Sequence, residues 1–234
     1  MDNASWSDDW VNHPEKLQTF RNALISWGQA NFRPFPWRLT NDAYTILMAE
    51  TMLHRTQVAQ VVPVFQEFIT KYPDISSLAK ASHEELRSVL FSLGLQWRID
   101  LIYQMVQQIA EHFALQIPQE KADLLSLPGV SEYIAGAVRC FSWNLPDVLT
   151  DTNTVRIVGR VMGWEVRDSS RRNSQFRQML QLWLDPVLPG AFNYALIDLA
   201  HLACVKRQQP HCEICPVMRW CHYGSRKGCP YERS

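Results

Sequence analysis

The sequence predicts an all-α protein. Apolar residues recur at helical spacing along most of the chain, and alternating apolar–polar runs of strand length are scarce. The 9 glycines set against 9 tryptophans make a poor composition for tight hairpins and a good one for helices with bulky packing.

The elements follow in order. The first fifteen residues are acidic, and we expect a flexible tail there. Leu17, Phe20, Leu24 and Trp27 form the apolar face of a first helix, and Tyr44, Leu47, Met48, Met52 and Arg55 share a face of the next. Pro63 is expected in the first turn of a helix carrying Val64, Phe65, Phe68 and Ile69. Ser82-His-Glu-Glu85 reads as a capping box ahead of Leu86, Val89 and Leu90, with Gly94 as the stop. Ile102, Met105, Val106, Ile109 and Phe113 mark a further helix that Pro118 should end. About ten helices are expected in all.

The length of 234 residues suits one large domain or two small ones. An apolar fraction of 47% excludes wholesale disorder. No run approaches the ~18 apolar residues of a membrane span, and the acidic start is unlike a secretory signal. We expect a soluble, cytoplasmic chain that is not secreted, nucleoid-associated if the source is prokaryotic.

Formal net charge is zero, but its distribution is uneven. Six arginines lie between Arg156 and Arg177 against Glu165 and Asp168; Lys206, Arg207, Arg219, Arg226 and Lys227 follow against Glu213. Each run alone would read as a solvated face. Together they suggest a surface that meets phosphates.

Five of the six cysteines crowd into the last 31 residues. Seven residues separate Cys204 from Cys212, two separate Cys212 from Cys215, and five separate Cys215 from Cys221. Such a set of thiolates binds zinc or an iron–sulfur cluster, and spacing alone leaves both open. Cys229 reads as a spare thiol and Cys140 as core packing.

Leu127-Pro-Gly-Val130 is a tight turn between two helices, followed by Ser131. Backbone N–H groups at such a turn can hold a phosphate without a basic side chain. Taken alone it would be an ordinary helix connection. Some twenty residues on, Leu149-Thr-Asp-Thr-Asn-Thr-Val-Arg156 puts Asp151 at the start of another helix, where an N-cap is the plain alternative.

From about Arg33 to Cys229 this layout resembles the helix-hairpin-helix DNA glycosylases, the HhH-GPD superfamily. The resemblance implies a two-lobed all-α fold: a six-helix lobe over residues 44–148, and a second lobe built from 16–43 with 149–234. It implies that Leu127, Gly129, Val130 and Ser131 grip duplex DNA and that Asp151 faces the sugar of a flipped nucleotide. A carboxylate suits that place because breaking an N-glycosidic bond builds positive charge on deoxyribose. The same group can orient or deprotonate the attacking water. Tyr133 stands where the bifunctional, endonuclease III-like members carry a Schiff-base lysine. A phenol forms no imine, so base removal without strand cleavage is implied. Ser131 replaces a glycine usual in the hairpin, which either adds a phosphate contact or strains the turn.

Phe35-Pro-Trp-Arg38, Asp42-Ala-Tyr-Thr-Ile-Leu47 and Glu50-Thr-Met-Leu-His-Arg-Thr56 resemble the branch holding MutY-type adenine glycosylases and mismatch-specific thymine glycosylases of the Mig type. Glu50 is implied to reach the flipped base, and Asn153 to support Asp151. His54 or Arg55 would fill the gap left by flipping, Leu95 would wedge beside the opposite base, and Arg156 would meet DNA. Trp97 is a stacking candidate or a core residue. The resemblance favours [4Fe–4S] for Cys204, Cys212, Cys215 and Cys221 over zinc, the first gap being one residue longer than usual. Tyr133 and the His54-Arg55 pair point to thymine or uracil mispaired with guanine, since a mispaired pyrimidine unstacks at less cost. The expected protein is a monomeric, monofunctional base-excision-repair glycosylase acting on double-stranded DNA. Adenine opposite guanine or 8-oxoguanine is the alternative substrate; because the chain stops five residues after Cys229, we expect no further domain to read 8-oxoguanine. A non-catalytic mismatch or abasic-site binding protein is the alternative of another class.

Overall fold

A computed structural model describes residues 10–94, 96–206 and 209–226. The helices, in chain order, begin with α1 (Pro14–Ala30), α2 (Ala43–Leu53), α3 (Val58–Lys71) and the single turn α4 (Ile75–Leu78). They continue with α5 (His83–Leu90), α6 (Gln96–His112), α7 (Lys121–Ser126) and α8 (Glu132–Trp143). The last four are α9 (Thr152–Met162), α10 (Ser174–Trp183), α11 (Pro189–Leu202) and α12 (His222–Arg226). No strand occurs among the described residues, and none of the described helices is long and apolar enough to cross a membrane.

The chain divides into two compact units. One is Pro34–Leu145; the other comprises the segments before Pro34 and after Leu145. Residues 34–43, expected with the terminal segments, join the central unit. Trp37, 3% exposed, packs edge-on against Phe65 at 5.2 Å and stacks on Phe35, which fastens this stretch to α3.

In the central unit α2 packs against α3 and α8. Asp42 caps α2 by accepting from the Thr45 N–H at 2.8 Å. Tyr44 and Ile46 through Met52 are all buried, so α2 is enclosed rather than one-sided. Arg55, expected on its apolar face, lies beyond its end at φ 62° and is exposed. Pro63 sits well inside α3, not in its first turn, and gives up one backbone hydrogen bond there. The Ser82–Glu85 capping box forms as expected. Helix α6 ends at His112, before Phe113 and well ahead of Pro118, because Ala114 and Leu115 turn left-handed and the Leu115 N–H returns to the Ile109 carbonyl. Cys140 is 1% exposed in α8.

The terminal unit is built around Phe20, Leu24, Val158, Trp183, Phe192 and Leu199. Helix α1 lies against α11, and the contact is close: a Cβ at Gly28 would stand 2.4 Å from the Ala195 Cβ. Part of the expected N-terminal tail belongs to this core. Trp10 is 3% exposed, meets Phe20 edge-on at 5.1 Å and lies 5.4 Å from Trp183.

Candidate active site

The hairpin joins α7 to α8. Gly129, at φ 81°, occupies the turn position that a side chain resists, and the Val130 N–H closes the turn on the Leu127 carbonyl at 3.1 Å. Leu127 and Val130 bury their side chains, and both of their N–H groups bond within the chain. Of the four hairpin residues expected to contact DNA, Gly129 and Ser131 are exposed, whereas Leu127 and Val130 are buried. Ser131 is extended and unstrained (φ −91°), and its hydroxyl caps α8 by accepting from Ile134.

Tyr133 follows in the first turn of α8 and is half-buried. Glu50, 7% exposed, lies on α2, the helix packed against α8. Thus a buried carboxylate and a phenol stand on two helices of one unit.

In the terminal unit Asp151 caps α9. One carboxylate oxygen accepts from the Asn153 and Thr154 N–H groups, each at 2.8 Å, while Thr154 returns a hydroxyl to the Asp151 N–H. The other oxygen accepts from the Asn153 side-chain amide at 2.8 Å. Asp151 is half-buried, so a cap and a reactive carboxylate coexist in one residue.

Arg156, expected to meet DNA, is instead committed inward. Its guanidinium donates to the carbonyls of Cys204 (2.9 Å) and Ala200 (2.9 Å) and to the Asn153 Oδ1 (3.1 Å). Ala200 lies in the last turn of α11, where carbonyls attract a cation. This arrangement fixes which way the Asn153 amide faces: its oxygen toward Arg156, its NH₂ toward Asp151.

Two further residues about Asp151, Arg33 and His201, escape a motif reading, whereas Asp198, six residues before Cys204, stands where the resemblance leads one to expect an aspartate. Arg33 donates to Asp198 at 2.6 Å, and that carboxylate is fully buried. His201, one turn beyond Asp198 on α11, has Arg33, Asp198, Arg156 and Asp151 as its electrostatic neighbours. Burial, then Arg33, lowers its pKa from the ordinary histidine value, which favours the neutral ring. Spacing along α11 from Asp198 was the one available signal.

The four cysteines Cys204, Cys212, Cys215 and Cys221 line one cavity together with Arg160, His211 and Tyr223. Arg160 donates to the Cys204 sulfur at 3.1 Å and the Val205 carbonyl at 2.9 Å, and lies over the Tyr223 ring. The His211 N–H bonds to the Ala203 carbonyl at 2.9 Å, joining the residues that directly precede Cys212 and Cys204. Burial pushes the Cys215 thiol up to about 12, and Cys221 rises for the same reason. For these two buried thiols the thiolate is favoured only with a cation among the sulfurs, the chemistry of a soft-metal site. Among the described residues, no three His, Cys, Asp or Glu side chains are grouped to hold a single metal ion. Leu95, Arg207, Lys227 and Cys229 lie outside the described residues.

The sequence matches no protein-family profile. It is 33% identical over 208 residues to a thymine/uracil-DNA glycosylase of Pyrobaculum aerophilum, covering 85% of this chain and 88% of that protein. It is 33% identical to a thymine-DNA glycosylase of Aeropyrum pernix, covering 89% and 95%. A human adenine DNA glycosylase is 31% identical, covering 90% of this chain and 40% of that protein. The solved structure of a thermostable thymine-DNA glycosylase superposes with a TM-score of 0.84 at 25% identity, covering 91% of this chain and 98% of that one. An endonuclease III–DNA complex shares the fold at a TM-score of 0.74 and 20% identity, covering 90% of this chain and 98% of that one.

Proposed function

Because this chain belongs to the helix-hairpin-helix DNA glycosylases, we propose that it removes thymine or uracil mispaired with guanine and leaves an abasic site. The observation that carries this reading is the Asp151 carboxylate, fixed at the head of α9 by two backbone N–H groups and the Asn153 amide. A preorganised anion stabilises the cation that develops on the sugar, and it does so without reorganising during the reaction. Asp151 also orients the attacking water. The water oxygen adds to C1′ as the C1′–N bond breaks; the electron pair leaves with the pyrimidine, and the water's proton passes to the Asp151 carboxylate.

Glu50 acts on the base. A buried glutamate that keeps its proton can donate it to the departing ring. Tyr133 offers no amine, so the sugar is never held as an imine and the strand stays intact. The exposed backbone at Gly129 and Ser131 holds a phosphate of the duplex.

We assign [4Fe–4S] to the four cysteines, because they line one cavity and their spacing resembles the terminal loop of the cluster-bearing members of the family. Bound, the cluster would order the loop that carries them; it supplies no step of base release. A brown protein with visible absorbance supports this assignment, and a colourless zinc protein overturns it.

The test is a single-turnover assay on labelled T·G, U·G, A·G and A·8-oxoguanine duplexes, with and without alkali. Breaks at T·G and U·G that need alkali support the substrate and the absence of lyase chemistry together. Breaks without alkali overturn the role given to Tyr133. Activity confined to the adenine duplexes assigns the chain to the adenine enzymes, and silence on all four duplexes overturns the proposed reaction.

A further inference from the structure

The hairpin carries an ion pair that the reaction above does not use. Lys121 opens α7 and Glu132 opens α8, so each stands in the first turn of one of the two helices that the hairpin joins. Their side chains meet at 3.1 Å, with Lys121 27% exposed and Glu132 58% exposed. Arg139, seven residues on from Glu132 and so on the same face of α8, donates to the Gln119 carbonyl at 2.6 Å. The two contacts stitch the chain entering α7 to one face of α8 and fix where the Lys121 ammonium stands.

An ion pair this exposed adds little to stability. Its weight lies in the charge it sets beside the turn. From Gln119 to Tyr133, Lys121 is the one cation against three carboxylates, Glu120, Asp123 and Glu132. That balance is the wrong sign for a segment that meets a polyanion. Glu132 directly follows Ser131, which with Gly129 is the exposed part of the turn. Its carboxylate therefore lies within about a Debye length, ~8 Å at physiological salt, of a phosphate resting there, and repels it. It also stands at the end of α8 where the helix favours an anion, the same field a phosphate would use.

We infer that the Lys121–Glu132 pair sets the strength of the hairpin's grip on the DNA backbone, Glu132 opposing the phosphate and keeping Lys121 from contact with it. The inference rests on the proposed action on duplex DNA and adds to it an affinity-determining pair. With Lys121 engaged by Glu132, the turn holds a phosphate through backbone donors alone. Charged contacts to phosphate bind every sequence alike, so a hairpin without them grips undamaged DNA weakly. More of the binding then falls to the site that takes the flipped nucleotide, which raises the ratio of specific to non-specific affinity.

The test uses the full-length, cluster-loaded protein and two duplexes, one undamaged and one carrying an uncleavable abasic-site analogue opposite guanine. Binding is titrated at several salt concentrations. Glu132→Gln keeps the side chain's shape, removes its charge and frees Lys121. It should tighten binding to the undamaged duplex by about 3- to 30-fold and steepen the plot of log affinity against log salt by about one unit. Preference for the abasic duplex should fall. Lys121→Gln leaves Glu132 uncancelled and should weaken binding to both duplexes by about 3- to 10-fold. The double variant should bind within about threefold of wild type, with the wild-type salt slope. Unchanged or weaker binding by Glu132→Gln overturns the inference, and tighter binding with the wild-type slope overturns the part given to Lys121. The wild-type base-release assay is read separately: activity there with an indifferent Glu132→Gln sinks only the role of the pair, whereas silence there sinks the proposed reaction. Thermal unfolding should differ little among the variants, because the pair is exposed.

Discussion

The Asn153 side-chain amide donates to one Asp151 oxygen at 2.8 Å while the backbone N–H of the same residue donates to the other, also at 2.8 Å. One residue therefore grips both oxygens of the carboxylate and sets the plane in which it lies. The consequence is a carboxylate with a single orientation before any substrate arrives.

Replacing Asp151 by Asn tests the charge apart from the cap. Asparagine is as good an N-cap as aspartate, so α9 and the melting temperature should be nearly preserved. Base release should fall by about 10²- to 10³-fold, while binding to an abasic product analogue persists. A variant that releases thymine as fast as wild type would remove Asp151 from the mechanism.

Arg156 should act through Asn153. In Arg156→Ala the Asn153 oxygen loses its donor and the Ala200 and Cys204 carbonyls lose theirs. We expect single-turnover release to slow by up to about 100-fold, with DNA affinity changed far less than for a direct phosphate contact. A large loss of affinity, with a reduced salt dependence, would instead restore Arg156 to the DNA surface.

The α1–α11 contact gives a stability prediction. Gly28→Ala drives a methyl into the Ala195 side chain, and one helix must move. A cost of about 1–3 kcal/mol is expected in chemical denaturation. Ala195→Gly in the same chain should return part of it, which a double-mutant cycle measures.

His201 gives a pH prediction. Its folded pKa lies below the ordinary 6.5, so the unfolded chain binds this proton more readily. The stability that the neutral ring contributes is complete above the unfolded value and is lost as the pH falls through it toward the folded one. His201→Gln should therefore lose less melting temperature than wild type on going from about pH 7.5 to 5.5. Parallel curves would show that His201 is not the group responsible.

Local signals carried much of this molecule. The Ser82–Glu85 box, the Asp151 cap and the Leu17, Phe20, Leu24 spacing are all set within a few residues, and each is found where the sequence put it. What stayed hidden depends on partners far along the chain. Arg98 reaches carbonyls 44 and 46 residues away, and Arg156 reaches 44 and 48. Nothing in an arginine's neighbours says that it will be buried. Trp10 looked like part of a tail because its partners, Phe20 and Trp183, lie in other segments. Pro63 was placed by a rule about helix starts, whereas burial of Val61, Val64, Phe65 and Phe68 outweighs the one bond it forfeits.

The bond from the His211 N–H to the Ala203 carbonyl separates two kinds of chain in the cysteine loop. Cys204 follows Ala203 and Cys212 follows His211, so the bond sets the distance between the two cysteines independently of the length of chain between them. Extra residues between the two cysteines would therefore leave both sulfur donors in place. After Cys212 the closures run through the cysteines themselves, the Cys215 N–H to the Cys212 carbonyl at 3.1 Å and the Cys221 N–H to the Met218 carbonyl at 2.9 Å, so an insertion there would carry straight to the sulfurs.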